Sequence, residues 1–144
     1  MQNQQHILAK TSIYCDLLEL KNARSFINEQ LQKIHVCDND INMIVLSVDE
    51  ICANLIKHAQ NLKPTDTIEI TLIKENGGIR VNILDHGLSF NPVNYYEKSL
   101  ATIISEKKKG GLGLMLVNKI MDKIDYQIEE TYNVCSMYKR VHLC

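Results

Sequence analysis

Three short constellations in the sequence combine residue types and spacings that can carry chemistry. In VLSVDEICANLIKHA, residues 45–59, Glu50, Asn54 and His58 recur at every fourth position. At about 100° of helical rotation per residue they form a row of a carboxylate, an amide and an imidazole, with Ser47 alongside. Such a row is either solvated surface or the wall of a site, and an amphipathic helix taken alone favours surface. Gly110, Gly111 and Gly113 stand immediately before an apolar helical pattern. Glycines there suit phosphate, because the backbone can approach closely and the free amides and helix dipole favour anions. They also serve as plain hinges, and the pattern is neither a Walker-type P-loop nor a GxGxxG following a strand. Third, Asp85 falls on the inward parity at the end of a strand pattern. A buried carboxylate needs a partner from protein, water or ligand, unless the strand frays first and Asp85 merely opens the turn at Gly87.

The elements that must position these groups follow from periodicity. The spacing predicts a strand over His6 to Ile13 and a helix over Leu20 to Ile34, with Leu20, Ala23, Ile27, Leu31 and Ile34 on one stripe. Asp38, Asn39 and Asp40 are cap or first-turn residues for a second helix beginning near Ile41. Its apolar stripe is Ile41, Ile44, Val48, Cys52, Leu55 and Ala59, and Pro64 with its polar neighbours ends it. Ile68, Ile70 and Leu72 alternate with Thr67, Glu69 and Thr71, then Asn76, Gly77 and Gly78 form a hairpin turn and Ile79, Val81 and Ile83 return. From Phe90 to Gly110 periodicity is weak, and the segment ends in Glu106, Lys107, Lys108 and Lys109, a run that reads as solvated surface. Leu114, Val117, Met121 and Ile124 predict a last helix, and Tyr126 to Glu130 and Val134 to His142 predict two closing strands. The fold class is α+β, an antiparallel sheet with helices grouped on one face.

Bulk properties narrow the function. With 144 residues and 45% hydrophobic content, the chain (1–144) is expected to be a single domain with its own core. Sixteen basic and 17 acidic residues give a net charge of -1, which offers no global attraction to nucleic acid or an anionic membrane. No apolar stretch approaches the ~20 residues of a membrane helix, and the N-terminus lacks the pattern of a signal peptide, so the expected location is cytoplasmic. Five cysteines without a CxxC pair predict reduced thiols, and neither a zinc site nor a disulfide framework.

Glu50-x-x-x-Asn54 on a helix, Asp85-x-Gly87 after a strand, and Gly111-x-Gly113-Leu114 opening a helix together resemble the N box and two glycine boxes of the GHKL ATPases. The texture of VDEICANLIKHA, DHGLSFNP and GGLGLMLVNKIMDKIDY is most similar to the anti-sigma factor serine kinases of the RsbW and SpoIIAB type, over nearly the whole chain. The resemblance implies the Bergerat ATP-binding fold, a two-layer sandwich of a mixed, mostly antiparallel sheet with helices on one face. It also implies ATP and Mg²⁺ as cofactors. Asn54 would supply an oxygen to the metal, and Glu50 would act on a serine hydroxyl near the γ-phosphate. Asp85 would accept from the adenine amino group and Gly87 would admit the ring. Gly111, Leu112, Gly113 and Leu114 would form the phosphate-side lid, within reach of Lys107, Lys108 or Lys109. His58 matches a histidine common in this branch, without a role fixed by the motif. Two departures stand out: Ser89 replaces a glycine of the first glycine box, and Cys135 or Ser136 stands where many relatives place a threonine.

The function implied is a serine-protein kinase that phosphorylates a STAS-type anti-anti-sigma protein and sequesters a sigma factor or other regulatory protein. The alternative is a non-catalytic, ATP-dependent partner-switching module; retention of Glu50 favours the kinase. The resemblance is compatible with a homodimer. A detached histidine-kinase catalytic domain would call for an upstream dimerising helix, and a gyrase or MutL type for a transducer domain after the last strand; neither pattern is read here.

Overall fold

A computed structural model describes residues 5–58, 62–87 and 109–144, with the side chains of 109–112 left aside. Strand β1 (Gln5–Tyr14) leads through a 3-10 turn (Leu17–Glu19) into α1 (Leu20–Lys33) and α2 (Asp38–His58). The hairpin β2 (Thr67–Glu75) and β3 (Gly78–Asp85) follows, then α3 (Lys109–Ile120), β4 (Lys123–Ile128) and β5 (Asn133–Arg140). The sheet runs β1-β2-β3-β5-β4, and all four of its ladders are antiparallel.

Local chemistry sets these boundaries. Asp16 accepts the Leu18 amide and caps the 3-10 turn. Helix α2 starts at Asp38, earlier than expected, with Asp38 and Asp40 in its first turn, where the helix dipole favours negative charge. Asn76 and Gly77 both take positive φ, the requirement of a two-residue turn whose twist matches the strands. Gly78 already belongs to β3, and a Cβ there would meet the Lys139 carbonyl and the Tyr138 ring at 2.5 Å.

One hydrophobic core fills the space between sheet and helices. The inner face of the sheet contributes Ile68, Ile70, Leu72, Ile79, Val81, Ile83, Cys135 and Met137. Against it pack Ile27 and Leu31 of α1, the α2 stripe of Ile41, Ile44, Val48, Cys52 and Leu55, and Leu114 and Val117 of α3. Ile51 joins this stripe at 1% exposure, widening it beyond the sequence expectation. Each such side chain taken out of water stabilises by about 1.5–3 kcal/mol.

Two expectations are corrected. Ile124 belongs to β4, opposite Met137, because α3 stops at Ile120. There β5 takes over: the Asp122 amide donates to the Tyr138 carbonyl, and the Asp122 carboxylate accepts the Arg140 amide at 2.7 Å. Cys37 and Cys144 form a disulfide, with a Cα separation of 5.0 Å, whereas Cys15, Cys52 and Cys135 are free and buried. A bridge between Val36 and Leu143 brings the two sulfurs together, and the Asp40 carboxylate accepts the His142 amide at 2.7 Å. Ala59, Ser89 and the expected loop with Lys107 and Lys108 lie outside the described residues. No helix among the described residues is long and apolar enough to cross a membrane.

Candidate active site

Helix α2 is buried on two flanks. Its apolar stripe lies on the sheet, and the flank that the helix pattern taken by itself favours as wet is covered at two positions as well: Ser47 and Asn54 are 0% and 2% exposed. Helix α3 packs on α2, with Gly113 against the Glu50 carboxylate. Ser47 Oγ donates to the Met43 carbonyl at 3.0 Å, and Asn54 Nδ2 donates to the Glu50 carbonyl at 2.7 Å. A carbonyl can only accept, so the second bond fixes which way the Asn54 amide faces.

That orientation leaves Asn54 Oδ1 buried and without a hydrogen-bond partner among the described residues. An unmet buried acceptor costs about 1–3 kcal/mol. A neutral amide oxygen is a suitable ligand for Mg²⁺, which takes oxygen donors and retains water and phosphate oxygens in its shell. The donor present therefore fits the ion that the resemblance implies. Among the described residues no group of three or more His, Cys, Asp or Glu could hold a metal, so Asn54 would share the ion with ligand oxygens.

Glu50, one turn before Asn54, is half-buried. Burial raises its carboxyl pKa above the usual range; the neighbouring Asp49 adds to the effect and Lys57 opposes it. A carboxylate tuned upward in this way is a stronger proton acceptor. Asp49 turns away and pairs with Arg24 of α1 at 2.5 Å.

The second cluster sits where β3 ends. Asp85 is 2% exposed, so the strand holds its parity to the last residue. Its Oδ1 accepts the Gly87 amide at 2.9 Å and Asn133 Nδ2 at 3.2 Å, and the same Asn133 nitrogen donates to the Gly87 carbonyl at 2.7 Å. Burial still pushes the Asp85 pKa up, against the pull of these two hydrogen bonds and of His86. The Asp85 charge is felt by Cys52 on α2 and by Tyr126 and Cys135 on the closing strands.

Asn133 was missed in the sequence. It pairs with Asp85 across the β3–β5 ladder, on the same inward parity as Cys135 and Met137. Continuing that parity back by one step beyond the expected strand start at Val134 would have found it. Cys135 lies opposite Ile83, and Ser136 faces the other way, where it accepts from Arg80 at 2.9 Å.

The glycines lie within α3 rather than before it. Lys109, Gly110 and Gly111 occupy its first turn, where amides lack a carbonyl partner one turn earlier, whereas Gly113 is already in the helical ladder. Leu112 is helical in backbone, and the Leu114 side chain lies in the core at 2% exposure. Lys119 is the basic residue of the last turn of α3. The structure thus joins Glu50 to Asn54 and Gly113, and Asp85 to Gly87 and Asn133. His58 is exposed at the end of α2.

Residues 15–139 match the family described as histidine kinase-like ATPase domain. The serine-protein kinase RsbW of Halalkalibacterium halodurans is 32% identical over 106 residues, covering 70% of this chain and 63% of the relative. The anti-sigma F factor of Geobacillus kaustophilus is 23% identical over 105 residues, covering 73% of this chain and 71% of that protein. The chain therefore spans a little under two thirds of the length of the first of these relatives. Among solved structures, the RsbU and RsbW domains of a Mycobacterium tuberculosis protein align with a TM-score of 0.65 and 14% identity, over 92% of this chain and 32% of that one. The nucleotide-free catalytic domain of the histidine kinase ThkA aligns with a TM-score of 0.51 and 19% identity, over 92% of this chain and 95% of that one. These two likenesses concern the fold.

Proposed function

The chain belongs to the histidine kinase-like ATPase domain family, and from that premise we propose that it is an ATP- and Mg²⁺-dependent protein serine kinase that also acts as an anti-sigma factor. Its antagonist would be a STAS-type anti-anti-sigma protein, phosphorylated on serine, and its held partner a sigma factor or other regulatory protein. The names of the relatives, serine-protein kinase and anti-sigma F factor, support this reading. The observation that carries it is the unpartnered Asn54 oxygen one turn from the half-buried Glu50 carboxylate.

In this reading Asp85, held by Gly87 and Asn133, accepts the adenine amino group's hydrogen bond, and Gly87 lets the ring approach the backbone. The first-turn amides at Gly110 and Gly111, with Leu112 and Leu114 shaping that lid, face phosphate oxygens. Asn54 would hold Mg²⁺, which when bound would supply charge to offset that of the phosphates. Glu50 orients the serine hydroxyl and takes its proton as the serine oxygen bonds to the γ-phosphorus and the bond from that phosphorus to the β,γ-bridging oxygen breaks, releasing ADP. Burial raises the Glu50 pKa, which makes it a stronger proton acceptor and supports this role.

The test incubates the protein with labelled ATP, Mg²⁺ and STAS proteins from the same genome. Transfer to one of them is expected, with loss of transfer but retention of ATP affinity in Glu50→Gln. Asn54→Ala is expected to weaken Mg-ATP binding itself. ATP binding without transfer to any STAS protein would replace the kinase with a partner-switching binding module, and full turnover in Glu50→Gln would remove Glu50 from the chemistry.

A further inference from the structure

The α2–α3 contact assigns a role to an absent side chain. A Cβ built on Gly113 would collide with the Glu50 carboxylate, and the three atoms it would meet first, Oε2, Cδ and Oε1, all belong to Glu50. Nothing from the sheet or from α1 is closer. Gly113 also lies one turn into α3, where glycine is a poor helix former and alanine would be favoured by roughly 1 kcal/mol in the absence of a conflict. Its φ is not in the left-handed region, since Gly77 is the glycine with positive φ among the described residues. Backbone geometry therefore does not require glycine at this position, and what an added methyl group would disturb is the placement of the Glu50 carboxylate.

We propose that Gly113 is a positioning residue for Glu50: the bare α-carbon of α3 is the wall against which the carboxylate rests, and it fixes where that group sits beside Asn54. The inference rests on the kinase reading for its catalytic meaning and on the contact alone for its existence. The carboxylate is the far end of a flexible side chain, so a methyl group at 113 would move it aside while the two helices stay in place.

A double-mutant cycle on thermal stability tests the contact without any need for turnover. Gly113→Ala is expected to raise Tm by less in the parent protein, where the methyl group displaces the Glu50 carboxylate, than in a Glu50→Ala background, where helix propensity alone acts. Should Gly113→Ala fail to fold, a folded Glu50→Ala/Gly113→Ala protein supports the proposal, and a double variant that also fails to fold overturns it. Equal Tm shifts in the two backgrounds, of either sign, overturn it as well. For the catalytic meaning, single-turnover transfer at saturating Mg-ATP is expected to fall on the order of a hundredfold in Gly113→Ala, the cost of a misplacement of roughly 1 Å, with a much smaller change in Kd for Mg-ATP. A loss of affinity as large as the loss of rate would make Gly113 a nucleotide contact and refute the positioning role. Absence of transfer in the parent protein refutes the kinase reading, while the stability cycle still decides on Gly113.

Discussion

Reducing the Cys37–Cys144 disulfide is expected to lower stability through the unfolded chain. The bond joins residues separated by 107 positions, so it closes most of the sequence into one loop. In the chain-entropy account a loop of this size restricts the denatured ensemble by about 4.7 kcal/mol at 25 °C. The folded state should change little on reduction. The Cys37 amide still donates to the His142 carbonyl at 2.8 Å, and the Cys144 amide to the His35 carbonyl at 2.8 Å. Unfolding entropy of about 2.1 cal/mol/K per residue gives roughly 0.3 kcal/mol/K for a chain of this length, so the melting temperature should drop by roughly 15 °C. Calorimetry with and without a phosphine reductant measures the drop. A Cys37→Ser/Cys144→Ser variant should melt like the reduced protein and ignore the reductant. Oxidised and reduced protein melting at the same temperature would refute the argument, since the remaining cysteines form no disulfide to break.

Other perturbations address the candidate site and its supports. Asn133→Leu removes a donor from the buried Asp85 and should destabilise by about 1–3 kcal/mol in denaturant titration while weakening ATP binding. Asp85→Asn should do the opposite for stability. Because burial raises the Asp85 pKa, its contribution is fully present below the unfolded value and is lost as pH rises through the folded one. A neutral amide avoids that loss, so Asp85→Asn should melt higher at pH 8 and bind ATP poorly by calorimetric titration. Glu75 has the reverse sign: hydrogen bonds from Gln5 and Arg80 lower its pKa, so its contribution is present above the ordinary carboxylate value and fades as pH falls through the folded value. Glu75→Gln should therefore flatten the acid side of a stability-versus-pH curve.

Much of this arrangement is legible in the sequence because periodicity is local. The alternation of Ile68, Ile70 and Leu72, the Asn76–Gly77 turn and the return through Ile83 place Asp85 inward by counting alone, and the ladder agrees residue by residue. Other features depend on chain segments that meet only in three dimensions. Ser47 and Asn54 are buried on a helix against which both α1 and α3 pack, and no pattern within α2 records that packing. Ile124 continues a helical spacing by accident; its pairing with Met137 decides otherwise. The Cys37–Cys144 bond follows from the Val36–Leu143 bridge, which cysteine counting cannot anticipate.

The buried free cysteines have a practical consequence for following this protein in solution. Burial raises the pKa of Cys15 to about 11 and of Cys135 to about 12, and pushes that of Cys52 up as well. Alkylating dyes attack the thiolate, which these groups do not supply near neutral pH, and the two remaining cysteines are consumed in their disulfide. The oxidised protein is thus a quiet background for site-directed labelling. A cysteine introduced at Leu18, 77% exposed, should accept a single fluorophore and report docking of a partner without removal of any native cysteine.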